Sequence, residues 1–257
     1  MTTLAAAPVV VRGLSKSFKS VVALQDVSLT VDDRQFVTIV GPSGCGKSTL
    51  LRLVSGLIPP TSGDIRVRGH PVIAPITEVG MVFQSPVLMP WRTTLENILF
   101  VAEMRGESAS RYKARALELI GLAGLAGFEQ RRPHELSGGM QQRVAICRAL
   151  LLNPPLILMD EPFGALDVIT RERMGFELEK IWNLSKTTVI FVTHSISESV
   201  LLSDRIIVMS ARPGRIVQAF DVDLPRPRGR ELLSHPAFVR LSAQVRACIE
   251  DASMAPV

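Results

Sequence analysis

The sequence predicts an α/β protein with a block of helices set inside it, and three observations carry that expectation. A glycine-rich loop at residues 41–49, "GPSGCGKST", follows the β-branched run "QFVTIV" and leads into Leu50, Leu53, Val54 and Leu57. That spacing, i, i+3, i+4, i+7, is the apolar stripe of a helix. Two later stretches, "LILMDEP" and "TTVIFVTH", are continuous apolar runs bounded by polar residues, as central strands covered on both faces should be. Between the loop and those strands, residues 94–125 change to a helical period.

Taken in order, "VVVRGL" and "VVALQDVSLTV" are short β-like runs ahead of the buried strand "QFVTIV". After the loop and its helix, "PPTSGDIRVRGHPV" supplies turn residues around another short strand, and "GMVF" is the strand that leads to Gln84. The helical block is clearest from Tyr112 to Ile120. At its end, "LSGGMQQR", Leu136 to Arg143, reads as a tight Ser-Gly-Gly turn opening a helix that runs through Leu152. Such a start leaves backbone N–H groups without intrahelical partners and so invites an anion. The strands "LILMDEP", "TTVIFVTH" and "RIIVMS" follow. Beyond "LPRPRGR", Phe238, Leu241, Val245 and Ile249 fall at helical spacing, which predicts a docked amphipathic helix.

A chain of 257 residues that is 47% hydrophobic and 21% charged can bury a full core as one domain, with or without a sub-domain. Its formal charge of +5 arises from an excess of basic residues spread along the chain rather than massed. This gives weak support to nucleic acid or an anionic membrane surface as partner, and reads foremost as a solvated basic face. The three cysteines, Cys45, Cys147 and Cys248, lack metal-ligand spacing and fit a reducing compartment. No basic residue precedes Arg12, so "MTTLAAAPVV" makes a poor signal peptide. No uninterrupted apolar run reaches the roughly 18 to 20 residues of a spanning helix. Any service to a membrane is therefore expected to pass through a partner.

The loop matches G-x-x-x-x-G-K-[ST] between strand and helix. Gly41, Pro42, Ser43, Gly44, Cys45 and Gly46 let the backbone wrap phosphate oxygens, with Cys45 contributing only its N–H. Lys47 places a charge on the β- and γ-phosphates, the Ser48 hydroxyl can ligate magnesium, and Thr49 completes the motif. "LILMDEP" delivers Asp160 and Glu161 at a strand end, the first suited to hold magnesium and the second to act as general base, a role worth roughly 10²–10⁴ in rate. Singly, Gln84 reads equally as a metal and water contact or as polar surface. His194 reads as a γ-phosphate contact or a structural histidine, and Phe18 as a base-stacking ring or a core aromatic.

With "GPSGCGKST", Gln84, "LSGGMQQR", "LILMDEP", "FGALD" and "VTHS" in that order, nearly the whole chain resembles the ATP-binding subunit of an ABC transporter. The resemblance implies ATP and Mg2+ as cofactors, Gln84 as the Q-loop residue, Asp167 as the D-loop residue, His194 as the switch histidine and Phe18 as the adenine-stacking aromatic. It implies a nucleotide-binding domain over 1–257, with a P-loop catalytic core at about 1–84 and 153–225, including a small antiparallel β sub-domain. A helical sub-domain at about 85–152 and a C-terminal tail at about 226–257 complete the expected division. It further implies a head-to-tail homodimer in which Ser137, Gly138 and Gly139 grip the γ-phosphate on the partner's P-loop. Transmembrane permease subunits, an indirectly engaged extracytoplasmic solute-binding protein, and a place on the cytoplasmic face of the cell membrane follow from the same resemblance; nucleic acid does not.

Two positions depart from the family's commoner residues, Met140 for Gln and Phe18 for Tyr. Neither removes a backbone anion contact or a π face. The stretches "FQSPVLMPWRTTLENI", "HELSGGMQQRVAICRAL" and "ARPGRI" resemble the branch serving nitrate, sulfonate, taurine and thiamine-precursor importers, which would put Trp91 and Arg92 near the groove for a permease coupling helix. A soluble relative acting on DNA or the ribosome would need a coiled-coil insertion or two tandem cassettes, for which this chain has no room. A GTP switch would need an N-K-x-D-like base reader, and none follows a strand here.

Overall fold

Two sheets divide the strands by how many of their faces are covered. The computed structural model describes residues 8–254; the opening stretch read above against a signal peptide lies largely outside them. In chain order come β1 (Val9–Phe18), β2 (Val21–Val31), β3 (Phe36–Val40), α1 (Lys47–Val54), β4 (Ser62–Val67), β5 (His70–Pro71) and β6 (Val79–Val82). The helices α2 (Thr94–Met104), α3 (Ala109–Leu122) and α4 (Gly138–Leu150) follow. The chain then runs through β7 (Leu156–Asp160), α5 (Val168–Ser185), β8 (Thr188–Val192), α6 (Ile196–Leu202), β9 (Arg205–Met209), β10 (Ile216–Asp221) and α7 (Pro236–Met254).

The first sheet is antiparallel, in the order β2-β1-β4-β5. The second has the order β10-β9-β3-β8-β7-β6 and is parallel except for the edge strand β10. Its central strands explain the unbroken apolar runs, because alternate residues enter different cores. Val37, Ile39, Leu156, Leu158, Ile190 and Val192 join α1 and the antiparallel sheet, whereas Phe36, Val40, Ile157, Met159, Val189 and Phe191 join the helices α2–α7. Hence neither face of β3, β7 or β8 can tolerate a polar residue without a partner.

The helical period predicted over 94–125 is two helices, broken at Arg105–Ser108, and α4 stops at Leu150 rather than Leu152. α5 has no counterpart in the sequence reading. The tail docks as expected, with Phe238 and Val245 buried. It is held by Arg228, only 3% exposed, which donates to the carbonyls of Val200, Leu201, Ser203 and Leu224 at 2.7–3.2 Å. Burial lowers this guanidinium's pKa to about 10. At the far end of α7, the Ala211 N–H donates to the Ala252 carbonyl at 3.3 Å. Among the described residues, no helix is long and apolar enough to cross a membrane.

Candidate functional site

Four parallel strands deliver the motif residues to one edge of their sheet, the C-terminal edge where α/β folds place ligands. Gly41 follows β3, Gln84 lies just beyond β6, Asp160 ends β7 with Glu161 next, and His194 lies just beyond β8. Sequence spacing places these residues more than a hundred positions apart at the extremes; the sheet order makes them neighbours.

The loop 41–46 is a preformed cradle. Gly46 adopts φ +98°, and a Cβ there would lie 2.6 Å from Leu24 Cδ2 and 3.0 Å from the Ala23 carbonyl oxygen. Only glycine lets the loop run this close to β2. The Lys47 Nζ donates to the carbonyls of Gly41 and Pro42, both at 3.0 Å, which fixes the ammonium under the loop. Cys45 is buried beside it, with Sγ 3.8 Å from Nζ, and its own N–H donates to Pro42 O at 3.3 Å. Burial pushes its thiol up, against the pull of Lys47. The cavity in front of the loop, about 430 Å³, is lined by Phe18, Val21 and Ala23 together with Ser48, Thr49 and Glu161. Phe18 is 47% exposed, so it is a wall of this cavity and not a core aromatic.

The Ser48 hydroxyl donates to Asp160 Oδ1 at 2.8 Å. Burial raises the Asp160 carboxyl, the Ser48 hydrogen bond opposes that shift, and the Glu161 charge adds to it. Among the described residues no group of three His, Cys, Asp or Glu side chains converges as a metal site. One hydroxyl and one carboxylate suit a hard cation that takes its other oxygens from water and phosphate, as Mg2+ does. Glu161 sits in the left-handed region, φ +44°, with its N–H pinned to Val192 O at 2.9 Å. Its Oε2 lies 3.3 Å from His194 Nδ1. A Cβ on Gly164 would lie 3.4 Å from Gln84 Nε2 and 3.6 Å from Glu161 Oε2. Gln84 and Glu161 therefore meet above Gly164, and His194 joins them through the Glu161 carboxylate.

The stretch "LSGGMQQR" is not a turn. Ser137 is the N-cap of α4, its Oγ accepting from Met140 N at 3.3 Å, and both glycines are already helical. A Cβ on Gly139 would meet Thr170 Cγ2 at 3.1 Å, but one on Gly138 would meet nothing within 4 Å. None of Ser137, Gly138 and Gly139 lines the cavity in front of the loop. Asp167 caps α5 by accepting from Thr170 N at 3.0 Å, and this hydrogen bond holds its carboxyl below the usual range. The segment after Gln84 is tied down from two helices. Gln142 and Arg148 of α4 donate to the carbonyls of Phe83, Pro86 and Val87, and Asn97 of α2 donates to those of Met89, Arg92 and Thr93. Arg92 pairs with Glu103 at 2.7 Å and lies over the Phe100 ring, while Trp91 is 68% exposed.

Sequence reasoning assigned no role to the loop 210–215. Its Arg212 lines the cavity and donates to Gly44 O at 3.3 Å. A Cβ on its Gly214 would sit 1.9 Å from Cys45 O. The Pro-Gly pair in "ARPGRI" signals a turn, but nothing local says that the turn touches the phosphate cradle.

Comparison with known proteins places these features in context. The ABC transporter family profile matches residues 24–164. The chain is 49% identical over 224 residues to an uncharacterized ABC transporter ATP-binding protein of Methanocaldococcus jannaschii, covering 86% of this chain and 84% of the relative. It is 44% identical over 241 residues to the taurine import ATP-binding protein TauB of Jannaschia sp., covering 90% and 88%. Among solved structures it resembles a dimeric bacterial ABC transporter cassette, with TM-score 0.74 and 34% identity over 84% of this chain and all of that one. A post-hydrolysis dimer of an ATP-binding cassette bound to ADP and Pi is similar at TM-score 0.73 and 34% identity, again over 84% of this chain and all of that one.

Proposed function

Since the chain belongs to the ABC transporter family of ATP-hydrolysing subunits, we propose that its ATPase energises uptake of a small sulfonate such as taurine through a membrane permease. The grouping of Gln84 and His194 around Glu161, next to the Ser48–Asp160 pair, carries the hydrolytic part of this reading. Identity to several TauB proteins supports the solute class.

In this proposal the substrate's phosphates lie in the cradle formed by residues 41–49, with Lys47 as the point charge and Phe18 as the surface for the base. Ser48, Asp160 and Gln84 would hold Mg2+. When bound, that ion offsets the charge on the phosphate oxygens. Glu161 receives the proton of the attacking water at its carboxylate. His194 Nδ1, at 3.3 Å, orients that carboxylate and faces the terminal phosphate.

The signature Ser137, Gly138 and Gly139 serve the partner's substrate. A helical glycine is destabilising by about 0.5–1 kcal/mol relative to alanine, and within this chain nothing crowds Gly138. Its bare backbone finds a reason only in a molecule approaching from outside, and the similarity to dimeric cassettes supports a second copy as that molecule. Asp167, capping α5 beside this surface, lies at the same interface. The assignment of 85–152 as helical sub-domain, 1–84 and 153–225 as catalytic core, and 226–257 as tail is supported by the grouping of α2, α3 and α4.

Permease subunits dock at the clamped segment after Gln84, where exposed Trp91 is the better contact because Arg92 is committed to Glu103. The protein thereby sits at the cytoplasmic face of the membrane, and a solute-binding protein outside supplies the permease.

Glu161→Gln tests the hydrolytic assignment. Purified, it should bind ATP with affinity near that of the wild type and turn it over at least a hundredfold more slowly, accumulating as an ATP-bound dimer in size-exclusion chromatography. Hydrolysis within a few-fold of wild type would take the base role away from Glu161.

A further inference from the structure

We propose that Arg212 is a second cation of the nucleotide site, one that binds the α- and β-phosphates common to ADP and ATP. This rests on the ATPase reading above, and nothing in the motifs assigns it. Arg212 stands in the loop after β9, and that loop is joined to the cradle by backbone contact: Gly214 N donates to Ala23 O, Gly214 O accepts from Gln25 N, both at 3.0 Å, and the Gly214 Cα lies too close to Cys45 O to carry a side chain. The loop's position is therefore fixed by the same residues that fix residues 44–46.

The guanidinium itself is held by little. It is exposed, donates one hydrogen bond to the Gly44 carbonyl at 3.3 Å, and among the described residues makes no salt bridge. A guanidinium has five N–H donors in a planar fork, so most of its capacity remains for oxygens in the cavity it lines. Forked, charge-assisted contacts to phosphate are what arginine offers over lysine. Lys47, the other cation of the wall, is turned under the loop toward the Gly41 and Pro42 carbonyls. The two cations thus approach the cradle from different sides.

Which phosphates Arg212 meets follows from the wall to which its loop belongs. Gly214 of this loop pairs with positions 23–25 of β2, the strand whose Val21 and Ala23 line the cavity with Phe18, the residue proposed to face the base. Ser48, Asp160 and Glu161 come instead from α1 and the end of β7, with Glu161 beside Gln84 and His194. Arg212 is accordingly placed for the inner phosphates and not for the terminal one.

The test measures dissociation constants of the full-length protein for MgADP, MgATP and pyrophosphate, and the melting temperature without ligand. Arg212→Ala should weaken all three ligands about tenfold, the worth of a charged hydrogen bond, with the unliganded melting temperature unchanged. Arg212→Gln keeps an N–H for Gly44 but removes the charge; it should lose as much affinity as Arg212→Ala. Affinity close to wild type in Arg212→Gln would reduce Arg212 to a prop for Gly44, and so overturn the proposal. So would weakening of ATP alone, which marks a terminal-phosphate contact, or weakening of ADP with pyrophosphate unaffected, which marks a ribose or base contact. If the wild-type protein itself bound neither nucleotide, the ATPase reading would fail first; if it binds both and the variants match it, only the role of Arg212 falls.

Discussion

Asp160 is a carboxylate that the fold disfavours and the proposed chemistry needs. Burial raises its pKa above that in the unfolded chain, despite the hydrogen bond from Ser48. A carboxyl so shifted favours the folded state below its unfolded pKa, and that contribution is lost as pH rises through the folded value. At neutral pH the ionised group therefore opposes folding, and Asp160→Asn should raise the unliganded melting temperature. The gain should shrink as the pH falls toward about 4. The same variant should lose the extra stabilisation that Mg2+ adds to ATP binding; calorimetric melts across pH, with and without MgATP, read both. At this scale the sequence was informative wherever chemistry demands adjacent residues, as in "DEP" or "GKST". It was ambiguous for Phe18, Gln84 and His194, whose roles depend on what lies opposite. Phe18 turns out to be half exposed on the cavity wall, Gln84 lies with Glu161 over Gly164, and His194 lies beside Glu161.

Among elements, the start of α4 separates two glycines that look alike in sequence. Gly139 is packed against Thr170 of α5, whereas Gly138 faces open space. Gly138→Ala should stabilise the isolated chain by up to about 1 kcal/mol, read from denaturant unfolding, while reducing ATP-dependent dimer formation by an order of magnitude or more in analytical ultracentrifugation. A variant both more stable and equally able to dimerise would show that the partner does not approach this backbone. The strands were legible because β-branched runs in a parallel sheet stay apolar on both faces. α5 was not: its buried Met174, Leu178, Ile181 and Trp182 do fall at i, i+4, i+7, i+8, but the exposed Val168, Ile169 and Leu184 and the buried Glu179 blur the stripe. The contact between Arg212 and Gly44 spans 168 positions, a distance over which no periodicity carries information.

For the molecule as a whole, the proposed head-to-tail dimer would assign the signature and the cradle of one chain to different sites. Lys47→Ala and Ser137→Arg should each abolish ATP-dependent closure in a homodimer, because every composite site then contains one damaged half. A covalently linked heterodimer of the two has one site with both defects and one with neither. It should regain closure at that intact site, detected as ATP retained by the compact species, whereas sites formed within single chains would leave both damaged and rescue nothing.

The hydrogen bond from Ala211 to Ala252 ties the last turn of α7 to the loop that carries Arg212 and Gly214. Exchange of the Ala211 amide hydrogen with solvent deuterium requires that bond to open, so one proton reports on two distant parts of the chain. A nucleotide that stiffens residues 44–46 stiffens the loop resting on Cys45, and the Ala211 amide should become several-fold slower to exchange when MgADP is added. The tail then serves as a slow clock on the state of the cradle, readable by nuclear magnetic resonance without any label at the nucleotide itself.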